Sequence, residues 1–214
     1  MLRITIDHDQ EVGVPWEDCD GCWRVISTSP RHNHYESPET YQHIGFRRKL
    51  AVGLAFQLSR YSHGSTCWSL VGDGPQCHWD TTQNGGYLVW DHKPREMGAK
   101  TYEDRRKDAK AFLVMFNDWC NGNCYWYKVE RVTECSHCGA EVAEDLGSCG
   151  GFIGDDSLFD ALREVMGSYP GEGYEFAGAG AWLGTCHFNE LPLPAHHSRS
   201  GCIVGFPPVP PPQH

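Results

Sequence analysis

The sequence predicts an α+β fold in which an antiparallel sheet with one long β-hairpin is combined with two main helices. Short aromatic segments bounded by Gly or Asp, such as 66–71 and 86–90, are typical of strands in an antiparallel sheet. A long aromatic run at 124–132 is followed by a turn at 134–139 and a second extended run, which indicates the hairpin. Helical spacing of apolar residues stands out over about 101–120 and 155–167.

Two segments before the first helix are candidates for further strands of the predicted sheet, and only one of them is a clear strand. Leu2 to Ile6 alternates apolar and polar residues, which predicts a short first strand. Residues 50–61 are apolar enough for a buried strand or a short helix, and their periodicity does not decide between the two.

The first helix is the best-defined element of the sequence. Thr101 is suited to cap it, and acidic residues in the first turn favour its positive end. Its apolar stripe follows the spacing i, i+3, i+4 and i+7 and consists of Ala109, Phe112, Leu113 and Phe116. Asn121 and Gly122 are expected to end it. The second helix opens at Asp155 and stops at Gly167.

We expect one α+β domain over residues 1–175, because 40% of the chain is apolar and can fill a core. Residues 176–214 are rich in Gly and Pro, and we expect an irregular segment and tail there. Pro207 to Pro212 favours an extended polyproline-type conformation.

The negative charge is concentrated in one region. The formal net charge is −10, and residues 130–175 carry eleven acidic residues against Arg131 and Arg163. Such a surface repels the phosphate backbone, so nucleic-acid binding through it is not expected. It can attract a basic partner surface, or it can serve only as a solvated face.

Eleven cysteines without an export signal predict reduced thiols in a cytoplasmic protein, and no run is long enough to span a membrane. Cys135 and Cys138, followed by Gly139, have the spacing of a zinc knuckle. The other Cys-x-x-Cys pair is Cys19 and Cys22, so these four residues are the expected zinc ligands. The alternative is a turn with free thiols. A separate group formed by Cys120, Cys124 and Cys149 is expected to serve packing more than metal binding.

Polar residues around the strand pair form a second candidate site. His63 with Asp80 could act as a general base, the carboxylate orienting the imidazole. Cys77 could be a nucleophile served by His63. The alternative is a structural role, because Asp in a turn most often accepts hydrogen bonds from nearby backbone amides. Phosphate-binding loops and known hydrolase motifs are absent in usable context, and no organic cofactor is expected.

Three stretches resemble a family of uncharacterised tailed-phage proteins. Residues 61–65 are similar to its Tyr-Asp-His-Ser-Gly motif, with Ser62 where the family has Asp. Residues 77–83 are similar to Cys-Pro-Trp-Asp-Ser-Gly-Gln. Residues 121–154 are similar to a segment that runs from Leu-Asn-Gly-Asp-Val-Tyr-Gly-Tyr to Ser-Cys-Trp-Gly-Phe-Tyr-Gly, with Gly150 in place of Trp. The resemblance implies a phage origin and the host cytoplasm, and it supplies no reaction.

Three hypotheses for function follow. The first is an accessory protein without turnover that binds a host protein with a basic surface, in counter-defence or host takeover. The second is a small enzyme that acts on a nucleotide or nucleic acid through His63, Asp80 and Cys77. The third is a virion or assembly component. The sequence leaves open whether the protein is an enzyme.

Overall fold

The computed structural model describes residues 1–17, 23–32 and 34–188. In chain order the strands are β1 (Leu2–His8), β2 (Trp23–Ser27), β3 (Ala55–His63), β4 (Ser65–Leu70), β5 (Thr81–Trp90), β6 (Cys124–Glu134), β7 (Glu141–Ile153) and β8 (Tyr174–Ala177). The α-helices are α1 (Pro38–Tyr41), α2 (Ile44–Ala51), α3 (Tyr102–Cys120), α4 (Asp155–Ser168) and α5 (Ala181–Phe188). Helices and strands pack together, so the predicted α+β class is confirmed.

The first sheet has the strand order β7-β6-β1-β8, with β1 in its interior. β1 pairs antiparallel with β6 over its whole length and parallel with β8. Alternate residues of β1 are fully buried, as expected for a strand with one face on a core. Helices α4 and α5 supply the rest of this core, whose buried residues are Ile4, Ile6, Tyr125, Leu158, Phe159, Leu162, Leu183 and Phe188.

The second sheet is wholly antiparallel and has the order β2-β5-β3-β4. One of its faces packs against α3 in an aromatic-rich core that includes Trp23, Trp68, Trp90, Phe112 and Phe116. A smaller cluster of Ile26, Tyr41, Phe46, Ala55 and Val89 joins α1 and α2 to the sheet. The frequent aromatic residues of the sequence therefore fill this sheet-centred interior.

Helix α3 begins and ends as predicted. Thr101 and Asp104 form a reciprocal capping box at its start, which satisfies two backbone amides that would otherwise lack a partner. The four residues of the predicted apolar stripe are all buried. The helix stops at Cys120, with Asn121 as its C-terminal cap.

Two asparagines near the end of α3 hydrogen-bond the backbone of β4, the edge strand of the second sheet. The Asn117 side-chain oxygen accepts from the Trp68 amide at 2.7 Å, and its nitrogen donates to the Trp68 carbonyl at 2.9 Å. Asn121, one turn later, makes the same pair of bonds to Thr66, each 2.8 Å long. We call this arrangement the asparagine ladder. It satisfies backbone groups that an edge strand otherwise presents to solvent.

The predicted hairpin is formed by β6 and β7, which pair from Glu134↔Glu141 at the turn to Cys124↔Ile153 at the open end. The register shifts twice along the ladder, next to Trp126 and at Leu146. Most of β7 is exposed, as are the last two residues of β6. The turn half of the hairpin therefore extends away from the core of the first sheet.

Part of the sequence-based description needs correction. Residues 176–188, expected to be irregular, contain the end of β8 and the whole of α5, and the predicted domain boundary at 175 falls inside β8. Segment 50–61, left open between helix and strand, contains the end of α2 and most of β3. The two main predicted helices correspond to α3 and α4.

Candidate functional site

The loop that joins β4 to β5 is held by hydrogen bonds within itself. The amide of Cys77 donates to the Thr81 hydroxyl at 3.1 Å, and the Thr81 amide donates to the Cys77 carbonyl at 3.0 Å. The same hydroxyl donates to the Pro75 carbonyl, and the side chains of Gln83 and Gln76 are joined at 2.7 Å. We call residues 75–80 the Trp79 loop. Its conformation is fixed locally by these bonds.

The three residues predicted as a catalytic group come together at this loop. The Cys77 thiol donates to Asp80 Oδ2 at 3.3 Å, and His63 Nδ1 lies 3.4 Å from the same oxygen. His63 reaches the loop from the end of β3, where the Ser62 amide donates to the Asp80 carbonyl at 3.0 Å. The turn of the β3–β4 hairpin thus places the His63 imidazole beside the Asp80 carboxylate.

Which side chain contacts which limits the chemistry available to Cys77, His63 and Asp80. Both contacts end on Asp80, so the carboxylate, and not the imidazole, is central. In a cysteine–histidine nucleophile pair the histidine instead contacts the sulfur and takes its proton. The side chain of His63 is 73% exposed, so its other ring nitrogen is open to solvent. The arrangement is suited to a surface general base oriented by a carboxylate, and less suited to a cysteine nucleophile.

Trp79, between these residues, projects into solvent. Its side chain is 88% exposed, the highest value among the large apolar side chains in the described ranges. The neighbouring His78 ring contacts it edge-on, at 5.0 Å between ring centroids. An exposed indole on a locally fixed loop is a feature typical of contact sites, because Trp is enriched among the residues that dominate binding energies.

Asp73, in the loop between β4 and β5, has a structural role. Its carboxylate forms ion pairs with Arg106 at 2.6 Å and with Lys110 at 3.1 Å. Both partners lie on α3, at the side of its buried stripe. Asp73 therefore ties the loop after β4 to the helix and is not a member of the His63–Asp80 group.

The tip of the β6–β7 hairpin is a tight turn that carries Cys135 and Cys138, one half of the predicted zinc site. The Gly139 amide donates to the Cys135 carbonyl and the Cys135 amide to the Ala140 carbonyl, each at 2.8 Å. Gly139 has φ +71°, a conformation that glycine adopts without strain. Hydrogen bonding from the amides of His137 and Cys138 lowers the pKa of the Cys135 thiol, and the Cys138 side chain adds to this effect.

The other two predicted zinc ligands, Cys19 and Cys22, lie outside the described residues. Within the ranges that the structure describes, no three His, Cys, Asp or Glu side chains form a group able to hold a metal ion. The four-cysteine zinc site therefore stays a prediction, of which the described residues contain one half.

Of the three cysteines predicted to group at the open end of the hairpin, Cys120 and Cys124 are placed for packing and Cys149 is exposed. Cys124 is buried and pairs in register with Ile153, whereas Cys149 is exposed and pairs with Tyr127. Three strand residues separate the two positions, about 10 Å along β6. Burial raises the pKa of Cys120 to about 12 and that of Cys124 to about 11. Both thiols stay protonated at neutral pH, as a packing role requires.

Sequence reasoning missed a cleft between β2 and the end of α3. It measures about 450 Å³ and is lined by Val14, Trp16, Glu17, Arg24, Val25, His34, Tyr35, Glu36 and Trp119. The buried Nε2 atom of His34 has no hydrogen-bond partner in the described part of the chain. Burial lowers the pKa of His34 to about 4, with the nearby His32 and Arg60 acting in the same direction. The only sequence signal is the pair of histidines at 32 and 34 in a turn-rich region.

Comparison with family models, curated proteins and solved structures finds no match to this chain. In the described ranges, no helix has both the length and the apolar character needed to cross a membrane.

Proposed function

We propose that this chain is a phage-encoded accessory protein that acts in the host cytoplasm by binding a host protein, without turnover, and that Trp79 anchors the contact. The observation that carries the proposal is an indole 88% exposed on a loop held by its own hydrogen bonds. The resemblance to tailed-phage proteins includes this loop, since Cys77 to Gln83 is one of the three similar stretches.

The local bonds of the Trp79 loop favour binding because they reduce the entropy lost on association. A loop that already holds its contact residue in place does not need to be ordered by the partner. Burial of one indole, as in an aromatic anchor of an interface, removes about 150–250 Å² of surface from water. One residue of this kind can dominate the binding energy.

The charge distribution favours a partner with a basic surface. The turn half of the hairpin exposes Glu134, Glu141, Glu144 and Asp145. Some of this charge is balanced internally, because Arg131 pairs with Glu144 and Arg3 with Glu141. The remaining acidic surface would speed association with a basic partner, and added salt would weaken this attraction.

A capture experiment with matched variants tests the proposal. The full chain is immobilised, host lysate is applied, and bound proteins are identified at low and high salt. Trp79→Ala is expected to weaken capture of one specific partner by about 2 kcal/mol, roughly 30-fold in Kd. Trp182→Ala is the control, because Trp182 is also exposed, at 60%, but lies on α5. Equal capture by wild type and Trp79→Ala, or no protein above background, would contradict the proposal.

A second candidate is a small enzyme that acts on a nucleotide or nucleic acid with His63 as general base. The 3.4 Å contact between His63 and Asp80 favours it, because a carboxylate orients an imidazole for proton transfer. Turnover of nucleoside triphosphates and single-stranded oligonucleotides is the measurement. His63→Gln should lower any turnover by roughly 10²–10⁴-fold, whereas the control His78→Gln, in the neighbouring Trp79 loop, should retain it. Absence of turnover in the wild type would exclude this candidate for those substrates.

A further inference from the structure

We propose that a small pocket between β3, β5 and the turn after β2 binds an anion of the phosphate class, either free phosphate or a phosphate monoester. The pocket measures about 210 Å³ and is lined by side chains that are cationic or can form hydrogen bonds. The Trp79 loop contributes none of its described lining residues, so this inference does not rest on the contact proposed for Trp79. The polar lining consists of Arg31, Arg60 and His32, with the hydroxyl groups of Thr28, Ser29 and Thr82.

The positive charge of this pocket is not offset by any carboxylate that the structure describes. No Asp or Glu is among the described residues that line it. Neither Arg31 nor Arg60 forms an ion pair within the described ranges, whereas Arg3, Arg24 and Arg106 all do. The chain as a whole is acidic, with a formal net charge of −10. Two guanidinium groups kept apart from carboxylates in such a chain are suited to an anion from solution.

Arg60 is held at the pocket by an aromatic ring and a hydroxyl group. Its guanidinium carbon lies 5.7 Å from the centre of the buried Trp68 ring, and one of its nitrogens donates to the Thr66 hydroxyl at 3.4 Å. A guanidinium group that packs on an aromatic ring can still donate hydrogen bonds from its edge. The side chain therefore needs little further ordering when an anion binds.

A β-bulge brings β5 close to Arg60. Leu58 pairs with Gly86 and Arg60 with Thr82, so three residues of β5 stand opposite one residue of β3. Gly85 lies in this bulge, and a Cβ atom there would be 2.8 Å from the Arg60 Cβ atom and 3.1 Å from its backbone nitrogen. Glycine therefore permits the close approach of the two strands. Bulges re-aim side chains and are over-represented next to active sites.

The turn after β2 forms another wall of the pocket and is fixed by hydrogen bonds. The Thr28 hydroxyl lies 2.8 Å from the Asn84 carbonyl and 3.0 Å from the Gly85 carbonyl, and it donates to them. The Ser27 hydroxyl is 2.6 Å from His32 Nδ1. The other ring nitrogen of His32 is bonded to none of the described residues. The turn therefore places His32 with one nitrogen still able to bond a ligand.

The histidines beside the pocket respond to the charge of Arg60. Burial lowers the pKa of His32, and the positive charge of Arg60 acts in the same direction. Arg60 has the same effect on His34, after burial and the charge of His32. Like charges close together disfavour one another. An anion bound in the pocket would offset this repulsion.

The size and charge of the pocket indicate the class of anion. Its volume of about 210 Å³ is below the roughly 300–1,000 Å³ of sites for drug-sized ligands. Two guanidinium groups match the charge of a phosphate group, which is about −1.5 to −2 at neutral pH. The hydroxyl groups of Ser29 and Thr82 can bond its remaining oxygens. A carboxylate has one charge and two oxygens, so it would leave part of these groups unused.

A titration of the full chain followed by nuclear magnetic resonance tests the pocket. Inorganic phosphate, adenosine monophosphate, adenosine and acetate are added separately at constant ionic strength, because salt screens such contacts. We expect both phosphate compounds to shift the signals of Ser29, Arg31, Arg60 and Thr82. Acetate should bind roughly tenfold more weakly, because it makes fewer charge-assisted bonds.

The same titration identifies the source of the phosphate group. Tighter binding of adenosine monophosphate than of phosphate would assign the pocket to a phosphate monoester, and equal or weaker binding would assign it to the free anion. Acetate that binds as tightly as phosphate, or adenosine that produces the same shifts, would contradict recognition of a phosphate group.

Variants test the two guanidinium groups separately. Arg31→Gln and Arg60→Gln should each raise the Kd for phosphate by roughly 10–100-fold, since each removes charge-assisted hydrogen bonds. Arg47→Gln is the control, because Arg47 is exposed on α2 and its loss changes the net charge equally. It should leave the Kd unchanged. If circular dichroism shows that Arg60→Gln does not fold, the exposed Arg31→Gln decides. No binding by the wild type, or an unchanged Kd in Arg31→Gln, would overturn the proposal.

Discussion

His34 is half-buried among aromatic rings, and in the described part of the chain its Nε2 atom has no hydrogen-bond partner. Its ring lies 5.5 Å from that of Trp68 and 5.7 Å from that of Phe116, between centroids. A charged imidazole in these surroundings loses hydration without gaining an opposite charge, and this loss explains its low pKa.

The low pKa of His34 predicts a loss of stability as the pH falls. The unfolded chain takes up a proton near 6.5, whereas the folded chain does so only near 4. Stability is therefore complete above pH 6.5 and declines between 6.5 and 4, by about 1–3 kcal/mol. We expect His34→Phe and His34→Gln to reduce this decline, measured as the free energy of unfolding in urea at several pH values. An unchanged pH dependence in both variants would contradict the assignment.

At the scale of the element, the asparagine ladder couples α3 to the second sheet through polar side chains. An edge strand with unpaired amides and carbonyls is open to pairing with another chain. Asn117 and Asn121 are one helical turn apart, and Thr66 and Trp68 are two residues apart in β4. One helical turn of α3 thus matches two residues of β4. The side-chain amide groups of the two asparagines take the place of a partner strand.

The two rungs of the ladder should differ in energy. Asn117→Ala leaves the amide and carbonyl of Trp68 without partners at a half-buried position, which costs about 1–3 kcal/mol. Asn121→Ala exposes the corresponding groups of Thr66 to solvent, so water replaces the lost bonds and the cost stays below about 1 kcal/mol. Urea unfolding of both variants measures the difference. A larger loss for Asn121→Ala would show that the ladder is described wrongly.

At the scale of the whole molecule, the turn half of the hairpin is less protected than the two cores. The second sheet is covered by helix α3 and by the cluster with α1 and α2, whereas the turn half of the hairpin is exposed along most of β7. Regions with few buried contacts open locally at low free-energy cost.

Hydrogen exchange should therefore be uneven along the chain. Amides of residues 132–145, at the turn half of the hairpin, should exchange faster than those of β3 and β5, because local opening exposes them without disrupting either core. Exchange followed by mass spectrometry, without added metal, measures this. Similar protection in the two regions would contradict the picture of a projecting hairpin.

The elements predicted from local pattern are those whose sequence signal lies within the element itself. The stripe on α3, with its Thr101 cap, and the turn at Cys135 to Gly139 depend on neighbours in sequence. The Cys77–Asp80 contact was also predictable, since both residues lie in one turn. His63 joins them because β3 and β5 are paired, which places the end of β3 beside Asp80. The prediction grouped these residues only because they surround neighbouring strands.

The elements that were missed depend on distant partners. β8 has four residues and is a strand because it pairs parallel with β1, more than 160 residues away. α5 has no polar face to mark it, and Gly184 lies inside it against the Phe176 ring. The cleft at His34 forms between β2 and α3, so neither segment alone indicates it. Local propensity does not contain this information.

The interior place of β1 has a consequence for how the chain is made. Its residues are synthesised before those of both partner strands, because β6 follows more than a hundred residues later and β8 later still. All strands of the second sheet have been synthesised once Trp90 is added. This sheet can therefore assemble while β1 is still an unpaired apolar strand. Such a segment is exposed to aggregation until its neighbours are synthesised. Slow translation of the second half of the chain would therefore reduce the yield of native protein, and chaperones that bind the nascent β1 segment would restore it.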